Sequence, residues 1–148
     1  MHTTQFSFGL VACAAFSLLG CSTSSSSPSG GTDSGGGGST DSVNGCTAAD
    51  FAANDLSAQS KTRQITFPTG ATPAQYQPAC ITIAVGQSVT FTGSFTNHPL
   101  VQAGGDPSVF IQSTSSGTTA TFGFPVGGTY GFQCSNHPSV MKGAVFVK

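Results

Sequence analysis

The stretch "GGTYGFQCSNHPSVMKGAVFV", residues 127–147, decides the fold. Its first part alternates, with Tyr130, Phe132 and Cys134 on one face, and "GAVFVK" at its end supplies a closing strand; a period of two marks half-buried β-strands. The bend between them gathers Cys134, His137 and Met141. Outside its first twenty residues the chain has two histidines, His98 and His137, and one methionine, Met141. One short echo stands out, because "NHP" occurs at 97–99 and again at 136–138.

Working outward, the same alternation recurs. Ile81, Ile83 and Val85 share a face in "ITIAV", and Val89, Phe91 and Phe95 do so in "SVTFTGSF", with Thr90, Thr92 and Ser94 opposite. Ala120, Phe122 and Phe124 repeat it in "TATFGF", while "RQITF" and "VFIQ" are shorter candidates. "TAADFAANDL" reads as a turn or two of helix capped by Thr47. Gly86-Gln87, Gly104-Gly105 with Asp106-Pro107, and Gly127-Gly128 mark turns. Short strands at this spacing predict an all-β domain, an antiparallel Greek-key β-sandwich over residues 46–148.

The segment ahead of it is of another kind. Residues 1–20 contain the apolar run "FSFGLVACAAFSLLG", too short to span a bilayer at roughly 20 residues and ending in small side chains, as an export signal does. Its end, "LLGC", resembles the lipobox of bacterial lipoproteins, which implies lipidation of Cys21; an ordinary secretory cysteine is the alternative. Residues 22–45, "STSSSSPSGGTDSGGGGSTDSVNG", hold one apolar side chain larger than proline, Val43, and read as a disordered linker with a root-mean-square span of roughly 25–30 Å. The expected domains are therefore a signal at 1–20, a lipidated cysteine and linker at 21–45, and one folded domain at 46–148. The membrane is met only through the lipid anchor, and the address is the cell envelope, facing the periplasm or the outside.

Export also bears on the cysteines. Cys13 leaves with the signal, Cys21 takes lipid and Cys134 belongs to the cluster, which leaves Cys46 and Cys80 to form a disulfide in an oxidising compartment. Two buried free thiols are the alternative. A bridge would close a loop of about 35 residues and contribute roughly 3–4 kcal/mol.

Charge excludes some functions. The net charge is −1, and the folded part carries four basic residues and three acidic ones, with no basic face for nucleic acid and no polybasic membrane patch.

The cluster itself is soft. Thiolate and thioether with two imidazoles form a His2Cys set plus a distant methionine, which suits copper in both of its common oxidation states; zinc accepts the same strong donors. Over residues 62–148, "ITIAVGQSVTF", "NHPL" and "GGTYGFQCSNHPSVMKGAVFV" resemble the cupredoxins, the blue-copper family of plastocyanin, amicyanin and pseudoazurin. The resemblance implies one copper ion held by His98, Cys134, His137 and Met141. The loop is Cys-x2-His-x3-Met, one residue longer than the amicyanin type and one shorter than the plastocyanin type. The family usually has Asn after the upstream histidine; Pro99 stands there, and Asn97 in front is expected to hydrogen-bond toward Ser135 instead. Each histidine precedes a proline, which presses its backbone toward extended angles.

Pro99, Leu100, Pro138 and Val140 flank the histidines and are expected to form an apolar rim for docking redox partners. The resemblance implies a monomeric carrier of single electrons between a donor and an acceptor protein, leaving through His137. It is not expected to be an enzyme, since copper enzymes of related fold use further histidines and this chain has none to spare. The rival function is an envelope copper-binding protein for storage, delivery or protection.

Overall fold

The computed structural model describes residues 42–70, 72 and 75–148. The expected signal, Cys21 and most of the linker lie outside the described residues. Among the described residues one helix, α1 (Ala48–Ala53), precedes seven strands: β1 (Gln64–Thr66), β2 (Cys80–Ile83), β3 (Ser88–Thr92), β4 (Leu100–Gly105), β5 (Thr119–Gly123), β6 (Gly128–Cys134) and β7 (Lys142–Val147). They form two sheets, one of order β1-β3-β5 and one of order β2-β7-β6-β4. The sandwich expected from the alternation is present.

The apolar face of each strand meets the other sheet. Ile65, Val89 and Phe91 from the smaller sheet and Ile81, Ile83, Phe132 and Val145 from the larger one are fully buried. Phe91 and Phe132 meet edge to face, ring centroids 5.0 Å apart and planes at 86°. Each such side chain contributes about 1.5–3 kcal/mol through burial, so these rings dominate the core. On the opposite face of the smaller sheet the threonines point outward, and Thr90 and Thr121 share a hydrogen bond of 2.9 Å.

Pairing adds what alternation does not reveal. β1 lies parallel to β3, and β2 parallel to β7, while β3–β5, β4–β6 and β6–β7 are antiparallel. β4 is a strand absent from the sequence reading. Gly104 and Gly105 both have positive φ, and the β4–β6 register shifts between Gln102 and Gly105, so the expected turn is a bulge inside a ladder. "VFIQ" is not a strand: the Gln102 side chain accepts from Phe110 N and Ile111 N at 3.0 Å each, pinning it as a loop.

The helix covers the outer face of the larger sheet. Thr47 and Asp50 cap it reciprocally, Phe51 packs on Phe146 with centroids 5.6 Å apart, and Thr82 Oγ1 donates to Phe51 O at 2.9 Å. Thr82 is thus buried although it lies opposite Ile81 and Ile83, whereas Val85, past the strand end, is half exposed. Cys46 and Cys80 form a disulfide, Cα atoms 5.6 Å apart, that joins the start of the folded segment to β2. No helix among the described residues is long and apolar enough to cross a membrane.

Candidate metal centre

Three adjacent strands deliver the cluster to one end of the sandwich. Cys134 is the last residue of β6 and pairs with Leu100, the first of β4; His98 lies two residues before β4, and Met141 immediately precedes β7. The bend closes tightly on itself. Cys134 N donates to Met141 O at 2.9 Å, and both Met141 N and His137 N turn back, to His137 O at 2.9 Å and Cys134 O at 3.2 Å.

The result is a compact triangle of donors. His98 Nδ1 and His137 Nδ1 stand 3.3 Å apart, and Cys134 Sγ lies 3.5 Å from His137 Nδ1 and 3.9 Å from His98 Nδ1. First-row cations sit about 2.0–2.1 Å from imidazole nitrogen and about 2.3 Å from thiolate, so donors sharing one ion at angles from tetrahedral to slightly beyond trigonal lie roughly 3.3–3.9 Å apart. The three edges match that range. His98, Cys134 and Met141 are fully buried, and His137 is half-buried. Met141 shares the buried apolar cluster with Cys134 and Leu100.

A hydrogen bond sets the orientation of His98. Its Nε2 lies 2.7 Å from Gly70 O, and a carbonyl only accepts, so Nε2 carries the proton and Nδ1 turns its lone pair toward Cys134 and His137. The neighbouring carbonyl, Thr69 O, accepts from Asn97 Nδ2 at 2.7 Å. Asn136 Nδ2 in turn donates to Asn97 O at 3.1 Å. The loop at 69–70, the first "NHP" and the second "NHP" are therefore stitched in series.

Two expectations are corrected here. Asn97 does not bond toward Ser135, because its amide is taken by Thr69 O; Ser135 N instead donates to Pro99 O at 2.9 Å. Leu100 is not on a rim. Its register opposite Cys134 turns it into the core, where it is fully buried. Pro138 and Val140 are exposed around His137 and Pro99 is half-buried; Val140 also borders a hollow beside Cys80 and Lys142. Sequence reading missed Gly70 and Thr69, which act through backbone oxygens and carry no side-chain signature. It also missed Asn136, for which the repeated "NHP" was a usable signal.

One buried polar group adjoins this region without a partner. Tyr76 packs edge-on to Phe132 with centroids 5.0 Å apart, and its hydroxyl has no hydrogen-bond partner among the described residues. Burial, with the nearby Cys134 adding to it, holds the phenol well above its ordinary pKa.

A sandwich of two β-sheets with buried His98, Cys134 and partly exposed His137 at one end defines a soft-donor metal protein. The profile of copper binding proteins of the plastocyanin/azurin family matches residues 63–148, and the chain belongs to that family. It is a cupredoxin, and its cofactor is one copper ion, which the thiolate and imidazole donors fit. Among solved structures it is similar to a novel purple cupredoxin from Nitrosopumilus maritimus, at 27% identity over 57% of this chain and 98% of that one, TM-score 0.45. It is also similar to the oxidised plastocyanin of Dryopteris crassirhizoma, at 23% identity over 57% and 99%, TM-score 0.44. A copper-containing nitrite reductase from Thermus scotoductus is similar at 21% identity over 66% of this chain and 26% of that one, TM-score 0.44. No curated protein sequence matches the chain.

Proposed function

We propose that the protein is a type 1 copper carrier that moves single electrons between a donor and an acceptor protein in the cell envelope, tethered there through Cys21. The observation that carries the reading is the preassembled triangle of Nδ1, Nδ1 and Sγ, with edges of 3.3, 3.5 and 3.9 Å. Copper supplies the one-electron couple, Cu(I)/Cu(II).

The chain's residues do the rest. His98, Cys134 and His137 are the ligands, and Met141 is a weaker fourth donor from the buried side. Gly70 O keeps the proton of His98 on Nε2, so the inward nitrogen is free without any change of tautomer. Complete burial of Cys134 and His98 excludes water from the thiolate side. Little then has to move when charge arrives or leaves. His137, half-buried beside exposed Pro138 and Val140, is the edge at which a partner docks, and a small apolar contact suits a brief encounter. Both histidines of the described residues are used in this one centre, which favours a carrier over an enzyme.

Loading the full chain with Cu(II) and challenging it in two ways tests the reading. A carrier bleaches with a one-electron reductant, recolours with an oxidant through many cycles, and holds its copper against a chelator. Rapid loss of copper to the chelator with sluggish redox cycling would identify a storage or delivery protein instead.

A further inference from the structure

All four residues assigned to copper hang from β4, β6 and β7, and one side chain outside the family-matched segment ties those same three strands together. Asn44 Nδ2 lies 2.8 Å from Ala103 O on β4, 3.0 Å from Phe132 O on β6 and 3.0 Å from Gly143 O on β7. Phe132 is two residues from Cys134, and Gly143 two residues from Met141. The attachment is built rather than incidental. Val43 O accepts from Cys46 N at 3.0 Å, closing a turn in which Asn44 has φ +55° and Gly45 +86°. Asparagine tolerates that left-handed geometry, and the turn aims its amide at the sheet. The sheet is bare at the contact point: a Cβ on Gly131 would lie 2.8 Å from Asn44 Nδ2 and 2.9 Å from Val43 Cγ1. Two residues on, Cys46 is bonded to Cys80 on β2, the fourth strand. The segment from Val43 to Cys46 thus straps the whole sheet, β4 to β2.

We propose that Asn44 is a positioning residue for the metal centre, fixing the spacing of the three strands that carry its ligands. This rests on the copper reading above. An amide with two N–H groups shared among three carbonyls resists separation of any one strand from the others, and a bulged ladder such as β4–β6 has fewer bonds of its own to do so.

Asn44→Gly in the full chain removes the amide and keeps the left-handed turn, and Asn44→Asp replaces the donors with acceptors. In the metal-free protein, the amide of Cys134, bonded to Met141 O, should exchange about tenfold faster in both variants, while Thr90 N–H, bonded to Arg63 O in the other sheet, is unchanged. In the copper-loaded protein, the copper–sulfur stretching bands seen by resonance Raman should shift or broaden relative to the parent. Equal acceleration at Cys134 and Thr90 would show a role in stability alone and overturn the proposal, as would unchanged exchange at Cys134 or copper–sulfur bands identical to the parent. A parent chain that takes up no copper, with Cys134 exchange still accelerated, would overturn the copper reading and the role at the metal, leaving a strand tie.

Discussion

Asn136 Nδ2 donates to the carbonyl oxygen of Asn97 at 3.1 Å, so the residue before one histidine is tied to the residue before the other. This gives the repeated "NHP" a physical meaning. Proline restricts each histidine from behind, and the asparagines link the two loops from in front. The series runs on through Asn97 Nδ2 to Thr69 O, beside the Gly70 carbonyl that orients His98.

Breaking that link should loosen the histidines relative to each other. Asn136→Ala removes one exposed hydrogen bond, worth about 0.5–1.5 kcal/mol, and the melting temperature should fall by a few degrees. Copper affinity should fall about tenfold, as for loss of other supports around a metal. Competition with a calibrated chelator measures it, and unchanged affinity would show that the two loops hold their spacing without Asn136.

Tyr76 leads to a prediction of opposite sign. Its hydroxyl is buried without a partner among the described residues, so Tyr76→Phe should stabilise the protein by about 1 kcal/mol. The phenol's pKa is raised in the folded state, so the unfolded chain releases that proton first, at about pH 10. Stability therefore declines as pH rises past about 10, and Tyr76→Phe should flatten the decline. Urea unfolding at pH 7 and pH 11 checks both; a less stable variant would mean that the hydroxyl is satisfied.

The Cys46–Cys80 bridge constrains the unfolded chain across 34 residues of separation. Replacing both cysteines with alanine should cost about 3–4 kcal/mol in denaturant unfolding. The proposed metal ligands are untouched by the change, so the folded variant should still take up copper with its visible colour. A loss of colour in the folded variant would tie the bridge to the centre itself.

Met141 is fully buried, and Leu fills nearly the same volume, so Met141→Leu should cost less than about 1.5 kcal/mol. A fourth donor helps to hold the second positive charge of Cu(II), whereas three donors suffice for Cu(I), so its removal should raise the reduction potential. The expected rise is on the order of 60 mV, a tenfold change in a one-electron equilibrium. Protein-film voltammetry reads it, and an unchanged potential would remove Met141 from the ligand set.

Much of the candidate centre was legible in the sequence because Cys134 and His137 lie within one bend and His98 repeats the local motif of His137. The strands around Phe91, Phe122 and Phe132 were legible by alternation, since one face of each is buried and the other wet. Alternation fails where both faces are covered, as at Thr82 beneath α1, and where glycine sits inside a ladder, as in β4. Nor does it reveal which strands pair in parallel. Asn44 lay in a stretch whose composition reads as linker, and its role comes from a turn that puts one amide against three strands. Leu100 shows the limit of proximity in sequence: two residues from His98, it points into the core because its strand register opposes Cys134.

The most direct measurement is to add Cu(II) to the purified full chain and record its visible spectrum beside that of Cys134→Ser. An intense thiolate-to-copper band is expected at one ion per chain, absent from the serine variant. A colourless parent, or a band that survives in Cys134→Ser, would contradict it.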